Sequence, residues 1–537
     1  MEPDFLFEVC FEACNKVGGI YTVVSSKAHI MTEKFPGYVI IGPYFKGKSE
    51  EEFSEEEAPE EFKTIFPELE KEGIACHYGT WEIDGKPKTI LIDTSNFAYV
   101  LDDLKIKYWE HFKIDSLDSG WDFFEPMLWS TAAGKLIERF QQTNQDKKVL
   151  AQFHEWIASF GLLLLKMAKS PACTVFTTHA TMLGRSISGT GENLYAMLND
   201  MDPEEEARKH GVMNKFSTER ACAKEADAFT TVSEITGMEA EKILGRKPDV
   251  LTLNGLDMRS FPTGDQLISI QKESRKKLEQ FVTWYLKPYY DIHPEDMTFF
   301  FTSGRYEFHN KGLDLFVKSL GDLNRKLKEE QKDAKAMAFF FVPNGWTRFN
   351  EKLKEQKDAF EKGNMDSIKR DELPTLSTHD LENQDDPLLK SLLSEGLNND
   401  ESNPVKAVII PIYLDEDDGV LSMPYYHATA GCDLGIFASY YEPWGYTPPE
   451  CLAMGVPTVT SDLAGFGRFI SSQEEALVLK RHLSDDSKAQ HALTAFLNDH
   501  LGAEKRPHEC QELAKRSQWQ EFIRFYEEAY HKALDEQ

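Results

Sequence analysis

Short apolar runs alternate with amphipathic segments along most of this chain, and this alternation limits the possible folds more strictly than any other feature of the sequence. In the first half, the apolar runs have the length of strands and the segments between them have helical spacing. Such alternation predicts a parallel, doubly wound α/β sheet. The predicted strands of this half are Phe5 to Val9, Val39 to Ile41, Thr89 to Ile92, Val149 to Phe153, Thr174 to Thr177 and Ala228 to Val232.

A second series of the same kind occupies the second half of the chain. Two Rossmann-like halves joined by one linker form a cleft, and the ligands of such sheets bind at the carboxyl ends of the strands. The predicted strands of the second half are Phe299 to Phe301, Met337 to Val342, Ala407 to Ile410, Leu434 to Phe437 and Pro457 to Thr460.

The predicted domain boundaries lie where the strand pattern stops and resumes. Residues 1–265 form the first domain, a charged and aromatic connector follows at 266–296, and residues 297–505 form the second domain. A charged segment within the second domain, at about 350–403, is poor in strands and is predicted to be a helical insertion. The last residues, 506–537, are predicted to form an amphipathic helix.

Composition argues against several classes of function. The chain has 537 residues and a formal net charge of −30, which disfavours binding to nucleic acid or anionic membranes but not to a neutral polymer. Eight scattered cysteines without a CxxC pair indicate free thiols in a reducing compartment. We find no signal peptide, no apolar run long enough to span a bilayer and no cluster of metal ligands. We therefore expect a cytoplasmic protein without a metal cofactor.

A glycine-rich turn follows the first predicted strand and contains Lys16, Gly18 and Gly19. Two adjacent glycines let backbone amides approach an anion or a sugar closely at the start of a helix. For a single pair of glycines, however, a plain turn is the commoner explanation.

A histidine and an arginine, His179 and Arg185, follow the predicted strand Thr174 to Thr177. A lone histidine is more often structural. Together at a strand end, the two residues are well placed to contact a ligand in the cleft.

The segment Ser303 to Gly312 follows the first strand of the second half and carries Arg305 and Lys311. Both side chains can reach one diphosphate, the arginine through a bidentate fork and the lysine as a point charge. The alternative is a pair of ordinary surface cations, but the position at the carboxyl end of a strand favours ligand binding.

The segment Ser439 to Glu450 follows another strand of the second half. Glu442 lies in an irregular, aromatic-rich turn, where a carboxylate can face a substrate. Thr447 opens a stretch with capping-box spacing, with a proline at N1 and Glu450 at N3. Glu450 therefore has two competing roles, cap and ligand. Further on, Ala464 to Gly467 offers another amide-rich turn for phosphate.

Taken in order, these segments resemble the glycogen synthases of animals and fungi. One glycine-rich turn would prove little, but an ordered set that spans nearly the whole chain is specific. The matching stretches are Asn15 to Val23, His154 to Trp156, Phe176 to Arg185, Phe229 to Ser233, Asn254 to Leu256, Gly304 to Gly312, Ser439 to Glu450 and Gly465 to Gly467.

The resemblance implies a glycosyltransferase of the GT-B architecture, with two Rossmann-like domains facing a central cleft. The N-terminal half would hold the growing glucan, the C-terminal half would hold the nucleotide sugar, and the last helix would cross back to the N-terminal half. The reaction would move glucose from UDP-glucose to the end of an α-1,4-glucan with retention at the anomeric carbon. No metal would be needed, because cationic side chains and amides would replace it.

The resemblance also implies a role for each matching residue. Arg185, Arg305 and Lys311 would bind the diphosphate and stabilise charge on the departing oxygen. Glu442 would face the transferred glucose, and Glu450 would hydrogen-bond the ribose. The remaining donor-site residues would be Tyr425 against uracil, His179 against the sugar, and Trp444, Gly445, Tyr446, Thr447, Lys16, Gly18 and Gly19 along the glucose and phosphates.

The chain departs from this family in two places. Animal and fungal members carry an arginine-rich helix before the C-terminal helix, which binds glucose 6-phosphate. Here the stretch Lys505 to Glu512 has glutamates and a proline in place of arginines, so strong activation by glucose 6-phosphate is not expected. The insertion does not closely match the family's helical segment, which leaves assembly into an oligomer open.

Two other functions remain open from the sequence alone. A related retaining transferase with a different donor or acceptor, such as ADP-glucose or a small sugar, would carry the same diphosphate-binding residues and glutamates. A catalytically idle glucan-binding protein is disfavoured because the chain keeps the complete set of arginines, lysine and glutamates named above.

Overall fold

The structure is a computed structural model that describes residues 2–471, 475–481 and 486–535. The chain forms two compact units. The first contains Met1–Asp257 together with Ser517–Gln537, and the second contains Met258–Arg516. Each unit is built around its own, mainly parallel sheet, which confirms the predicted α/β class with two Rossmann-like domains.

A nine-stranded sheet forms the centre of the first unit. Its strands are β1 (Phe5–Val9), β2 (Tyr38–Pro43), β3 (Phe53–Glu55), β4 (Ala75–Trp81), β5 (Lys88–Asp93), β6 (Val149–His154), β7 (Cys173–Thr178), β8 (Ala228–Thr231) and β9 (Val250–Leu251). They are ordered β3-β4-β5-β2-β1-β6-β7-β8-β9. The β3–β4 and β4–β5 pairs are antiparallel, and the other pairs are parallel.

Helices connect the parallel strands of the first unit. They are α1 (Gly19–Lys34), α2 (Glu60–Lys63), α3 (Ile65–Lys71), α4 (Leu101–Phe112), α5 (Trp121–Thr143), α6 (Glu155–Ala158), α7 (Phe160–Met167), α8 (Met182–Gly189), α9 (Leu194–Met197), α10 (Pro203–Lys209), α11 (Met213–Glu225) and α12 (Glu234–Leu244).

A six-stranded parallel sheet forms the centre of the second unit. The strands of this unit are β10 (Met297–Ser303), β11 (Lys335–Phe341), β12 (Trp346–Phe349), β13 (His379–Leu381), β14 (Val405–Ile410), β15 (Leu434–Ile436), β16 (Thr458–Ser461) and β17 (Ala476–Leu479). The main sheet is ordered β14-β11-β10-β15-β16-β17, while β12 and β13 form a separate antiparallel ribbon.

The helices of the second unit begin with a long one before the first strand. They are α13 (Gly264–Leu286), α14 (Leu313–Glu329), α15 (Glu351–Glu361), α16 (Pro387–Ser394), α17 (Tyr425–Gly431), α18 (Thr447–Ala453), α19 (Gly465–Phe469), α20 (Asp486–Asp499) and α21 (Pro507–Lys515). None of the helices in the described part of the chain is both long and apolar enough to cross a membrane.

Strand β10 shows why the predicted strands are continuous apolar runs. Phe300 belongs to the hydrophobic core on one face of the sheet, whereas Phe299 and Phe301 belong to the core on the other face. All three side chains are fully buried. A strand of a parallel sheet that is covered by helices on both faces needs apolar residues at every position.

The final helix, α22 (Trp519–Asp535), packs on the first unit. Its Trp519 is fully buried against Gly255, and the indole Nε1–H donates a hydrogen bond to the hydroxyl of Ser26 at 2.8 Å. At the other end of the helix, the Tyr530 hydroxyl donates to Gln152 on β6 at 2.6 Å.

Several expectations need correction. The first sheet is not wholly parallel, because β3 and β4 join its edge antiparallel. The segment at 266–296, expected to be a connector, is largely helix α13, whose buried residues belong to the core of the second unit. The insertion at 350–403 contains strand β13 as well as helices. The segment 506–537 contains two helices, and the first of them, α21, belongs to the second unit.

Candidate active site

The candidate site lies where the strand order of the second sheet reverses direction. From β10 the chain builds the sheet outward through β11 and β14 on one side, and then through β15, β16 and β17 on the other. The loops that leave β10 and β15 therefore diverge and open a crevice at the carboxyl ends of the strands, where sheets of this kind bind ligands. The predicted segments Ser303 to Gly312 and Ser439 to Glu450 follow these two strands.

Lys311 and Glu442 meet in this crevice. The Nζ of Lys311 donates a hydrogen bond to Oε2 of Glu442, and the two side chains are only 18% and 19% exposed. Gly312 allows the approach, because its φ is +69° and a Cβ there would lie 2.0 Å from the carbonyl oxygen of Ala438. The structure thus places together one predicted cation and one predicted carboxylate from segments 131 residues apart.

The loop that carries Glu442 is held by backbone contacts. The N–H of Gly465 donates to the carbonyl of Glu442 at 3.0 Å, and the N–H of Phe466 donates to the carbonyl of Trp444 at 2.9 Å. Two amides of the turn that was expected to bind phosphate therefore fix the position of the carboxylate. Gly445 has a φ of +89°, and a Cβ there would lie 2.9 Å from Cγ of Glu442.

Arg305 leaves the same strand end as Lys311 but has a different partner. Its guanidinium pairs with the carboxylate of Glu307 at 3.0 Å, and its side chain is 71% exposed. A long, exposed side chain can reach a diphosphate in the crevice only if it leaves this pair, and the cost is low because exposed ion pairs contribute about 0–1 kcal/mol.

A cavity of about 300 Å³ opens beside the end of β10, and most of its lining is apolar. The Tyr425 hydroxyl, at the start of α17, bonds with the Ser303 hydroxyl at 2.7 Å, and burial raises the pKa of Tyr425 well above its usual range. The size and the aromatic wall suit a planar ring. The residues that line the cavity are Ser303, Gly304, Phe341, Pro343, Ile412, Tyr413, Leu414, Tyr425 and Thr447.

Glu450 is available to a ligand because it does not cap its helix. The capping-box prediction is wrong: α18 begins at Thr447, its N-cap is Tyr446, and no side chain caps it. The carboxylate of Glu450 instead accepts a hydrogen bond from the Tyr426 hydroxyl at 3.0 Å. Burial raises the pKa of Glu450 to about 7, although the bond from Tyr426 acts in the opposite direction.

Tyr446, Trp444 and Thr447 lie around this carboxylate loop. The Tyr446 hydroxyl is buried and has no hydrogen-bond partner among the described residues. A polar ligand could supply that partner. The Trp444 ring is 3% exposed and packs near Phe466, with ring centroids 6.0 Å apart, so it supports the loop from behind. Thr447 lines the cavity.

His179 and Arg185 lie in the first unit, in the loop after β7 and in helix α8. His179 is 7% exposed, and Arg185 is exposed. The backbone N–H groups of His179 and Ala180 both donate to Oε1 of Glu155, at 2.9 and 3.1 Å. Through these two hydrogen bonds Glu155 positions the loop. Burial raises the pKa of Glu155 to about 7 against the opposing charge of Arg185.

The glycine-rich turn after β1 holds a carboxylate of its own. Oε2 of Glu12 accepts hydrogen bonds from the N–H groups of Gly18 and Tyr21, at 2.7 and 2.9 Å. The side chain of Glu12 therefore occupies the position at the start of α1 where a ligand anion or a sugar was expected. Gly19 has open space at its Cβ position, and the Nζ of Lys16 lies 5.5 Å from the centre of the Tyr21 ring.

Two groups of side chains in the described part of the chain could hold a metal ion by spacing, and the sequence did not predict either. One is formed by His29, Asp84 and Asp257. In the other, formed by Glu192, Glu206 and His210, the Nζ of Lys209 pairs with both glutamates at 3.2 and 3.0 Å. Neither group contains a residue predicted for the site.

Sequence reasoning missed the far wall of the cavity. Phe341 ends β11, and Tyr413, which is 80% exposed, comes shortly after the end of β14. The rule that ligands bind at the carboxyl ends of parallel strands applies to these positions as well. Because they are apolar and carry no motif, nothing else in the sequence distinguished them from core residues.

Comparison with known proteins gives one family and several relatives. A family model described as glycogen synthase matches residues 8–358 and 347–537. A glycogen [starch] synthase of Caenorhabditis elegans is 33% identical over 99% of this chain and 88% of its own length. The liver glycogen [starch] synthase of Mus musculus is 32% identical over 99% of this chain and 84% of its own length.

Solved structures with the same fold have little sequence in common with this chain. The catalytic domain of starch synthase IV from Arabidopsis thaliana, bound to ADP and acarbose, aligns over 99% of both chains with a TM-score of 0.55 and 14% identity. Sucrose-phosphate synthase from Thermosynechococcus elongatus aligns over 99% of both chains with a TM-score of 0.52 and 11% identity. These similarities support the GT-B fold.

Proposed function

This chain belongs to the glycogen synthase family, and we propose that it is a retaining glucosyltransferase that moves glucose from UDP-glucose to the non-reducing end of an α-1,4-glucan. Membership of the family supports glucosyl transfer in glycogen synthesis. The roles of individual residues are those that the resemblance implies, and the geometry of the second unit supports those of Lys311, Glu442 and Glu450.

The pair formed by Lys311 and Glu442 carries the proposal. It joins a cation and a carboxylate at the reversal point of the sheet, and both side chains are mostly buried. In a crevice with little water, such charges act on a ligand more strongly than they would in solution. The apolar cavity next to the pair offers room for a planar base.

We propose the following position for the nucleotide sugar. The base enters the cavity against Tyr425, and the ribose hydroxyls donate hydrogen bonds to Glu450. The diphosphate then reaches Lys311 and Arg305. This order is supported by the chain geometry. Tyr425 and Ser303 are hydrogen-bonded in the lining of the cavity, and the next residue, Tyr426, donates a hydrogen bond to Glu450.

The transfer step breaks the bond between C1 of glucose and the phosphate oxygen, and it forms a bond between C1 and the acceptor hydroxyl oxygen. The acceptor proton leaves with the departing phosphate, and UDP is released. Lys311 stabilises the negative charge that grows on the phosphate oxygen. Glu442 stabilises the positive charge that grows at C1. The loop that carries Glu442 is held in place by contacts with Gly445 and Gly465.

The acceptor and two further contacts to the donor are assigned to residues of the first unit. We propose that His179 lies against the transferred glucose, that Arg185 contributes to the diphosphate site and that an α-glucan binds to this unit. Buried free thiols are consistent with a reducing compartment, so we place the protein in the cytoplasm. We also propose that the protein can assemble into a homo-oligomer.

We propose that transfer needs no metal ion, because Lys311 and Arg305 supply the positive charge that a metal would bring to a diphosphate. Full activity is expected after exhaustive treatment with EDTA, measured as glucose incorporation against an untreated sample. A loss that added Mg²⁺ or Mn²⁺ restores would overturn the metal-free mechanism.

The proposed function is tested by incorporation of labelled glucose into glycogen from UDP-glucose and, separately, from ADP-glucose. Incorporation from UDP-glucose is expected, with losses of about 10²–10³-fold in the Lys311→Ala and Glu442→Gln variants. The matched control is Lys352→Ala, which removes an exposed lysine paired with Glu372 at 2.6 Å, and little change is expected there. If neither donor is used, the enzyme assignment fails.

A further inference from the structure

A continuous chain of buried polar side chains runs through the first unit to His179. Its members come from α1, β1, β6 and the loop after β7. The Nζ of Lys27 and Nε2 of His154 both bond to Oε1 of Glu8, the latter at 2.6 Å, and Nδ1 of His154 bonds to Nε2 of His179 at 2.9 Å. Lys27, Glu8 and His154 are 0–1% exposed.

Glu8 is the fixed charge of this chain. Burial alone would raise the pKa of its carboxyl group, but Lys27 and His154 lower it well below the usual range. Its second oxygen accepts a hydrogen bond from the Tyr38 hydroxyl. An ionised carboxylate can only accept hydrogen bonds, so the proton between Glu8 and His154 belongs to Nε2 of the histidine.

Burial lowers the pKa of His154 below its usual range despite the opposing effect of Glu8, and this shift favours the neutral imidazole. A neutral imidazole carries one N–H and one bare nitrogen. With the proton on Nε2, the bare Nδ1 of His154 must accept a hydrogen bond from Nε2 of His179. Burial together with the charge of nearby groups keeps the pKa of His179 below its usual range as well, so His179 too has a single ring proton.

From this geometry we infer that Glu8 and His154 set the tautomer of His179 and so make its Nδ1 a hydrogen-bond acceptor for a hydroxyl group of the transferred glucose. Glu8 and His154 are positioning residues, and they act on the sugar only through His179. The inference rests on the proposed function for the sugar contact, but the tautomer itself is a property of the protein without substrate.

The opposite position of the ring protons would make Nδ1 of His179 a hydrogen-bond donor instead of an acceptor. If His154 were an imidazolium, its Nδ1–H would donate to Nε2 of His179, and His179 would present Nδ1–H as a donor. Lys27 already provides a cation beside Glu8, at the centre of the same buried group. A second buried cation next to it is unfavourable, because Glu8 provides only one negative charge to offset both.

The first test is nitrogen NMR of the full chain labelled with ¹⁵N at histidine. The His179 and His154 signals are assigned by their loss in the His179→Gln and His154→Gln variants. For both residues we expect one protonated nitrogen, identified as Nε2 because it couples to both carbon-bound ring protons, between about pH 6 and about pH 8. A proton on Nδ1 of His179, or a doubly protonated His154, overturns the inference.

The second test uses the polarity of the substituted side chain at position 154. Glutamine can donate to Glu8 and accept from His179, as the neutral histidine does, whereas phenylalanine can do neither. His154→Gln is expected to retain at least about tenfold more glucosyl transfer than His154→Phe, and thermal unfolding must show that both are folded. Equal activities in two folded variants contradict the inference.

A third variant changes the anchor of the chain. Glu8→Gln combined with Lys27→Met leaves no unpaired buried charge, and the amide can face His154 with either end. Mixed tautomers of His179 are then expected in the NMR spectrum. The matched control is Tyr38→Phe, which removes a different hydrogen bond to Glu8 and should leave the tautomer unchanged. If the wild type transfers no glucose, the proposed function fails while the spectra still decide the tautomer.

Discussion

At Gly445 the backbone comes too close to Glu442 for any side chain. Its φ is +89°, and a Cβ would lie 2.9 Å from Cγ of the glutamate. We expect Gly445→Ala to lower glucosyl transfer by at least about tenfold, because the methyl group displaces a carboxylate that must stay within about 0.5 Å of its productive position. The measurement is kcat with UDP-glucose and glycogen.

Gly363→Ala is the matched control for this substitution. Gly363 has a φ of +70°, but there is open space at its Cβ position. Both variants should lose about 1 kcal/mol of stability from the left-handed backbone. Only the Gly445 variant should lose activity, so an equal loss in both would mean that backbone strain, and not the contact with Glu442, is responsible.

Because we propose that Glu450 binds the ribose, we expect donor binding to depend on pH. Burial raises the pKa of Glu450 to about 7, so the carboxylate gains a proton as the pH falls through that value and then accepts hydrogen bonds from the ribose less well. UDP affinity, measured by calorimetry, is expected to weaken between about pH 8 and about pH 6 by up to roughly tenfold. In Glu450→Gln only the dependence that comes from the terminal phosphate of UDP, whose pKa lies at about 6, should remain.

The hydroxyl of Tyr426 provides the control for this pH dependence. It donates to Glu450 at 3.0 Å and favours the ionised form. Tyr426→Phe removes only this hydroxyl, so the midpoint of the UDP-affinity profile is expected to move to higher pH. A midpoint that stays in place would assign the titration to another group.

Motifs predicted some residues of the candidate site, and geometry was needed to find the others. Lys311 and Glu442 could be predicted from sequence, because charged residues at the carboxyl ends of parallel strands have few structural reasons to be there. Tyr413 could not, since an aromatic residue after a strand reads as ordinary surface or core. From the sequence, Glu450 could be a helix cap or a ligand, and the structure argues against the cap because α18 starts at Thr447 rather than after it.

At the scale of elements, α22 packs on the first unit through a row of buried side chains, and the largest of them lies at the start of the helix. Trp519 is fully buried, and Gly255 lies directly against its ring. Trp519→Ala is expected to lower the free energy of unfolding by about 3–5 kcal/mol through the cavity it leaves. Differential scanning calorimetry should show a lower Tm for the variant.

Trp109→Ala is the matched control for the Trp519 substitution. Trp109 lies on α4 and is 50% exposed. Its removal is expected to change the free energy of unfolding by only about 0.5 kcal/mol. If the two variants were equally stable, α22 would not depend on the buried contact with Gly255.

Strands were easier to predict than their connections. A run such as Phe299 to Phe301 is apolar at every position because both faces of its strand are buried, so it is read as a buried strand. Strand β4 has half-exposed residues along most of its length, and its antiparallel pairing with β5 depends on a turn rather than on composition. Helix α13 is amphipathic, but its many charged residues suggested an exposed connector until its apolar face was seen in the core.

At the scale of the whole molecule, two sheets of the same type place interacting charged or polar side chains at the same topological position. In the second unit, Lys311 and Glu442 follow the strands that flank the reversal point. In the first unit, Glu8 and His154 lie on β1 and β6, which flank the corresponding reversal. Such positions follow from the order of strands, which no single motif in a sequence can specify.

Regulation by a sugar phosphate is also a property of the whole molecule, because it requires a second anion-binding site that is coupled to the donor site. The stretch around the start of α21 has few cations to offer. Arg506 pairs with Glu475 at 3.4 Å, and Lys515 pairs with Glu512 at 2.6 Å. Lys505 is largely buried, which lowers the pKa of its ammonium group against the opposing effect of Asp433.

We therefore expect millimolar glucose 6-phosphate to raise the rate of glucosyl transfer by less than about twofold, where a coupled effector site would give about 5–150-fold. The measurement is the initial rate at subsaturating UDP-glucose, with inorganic phosphate at equal ionic strength as the control for salt effects on this acidic protein. Activation of about tenfold by the sugar phosphate alone would show that arginines are not required for an effector site in this chain. Equal, small effects of both anions would mean only screening of the negative surface.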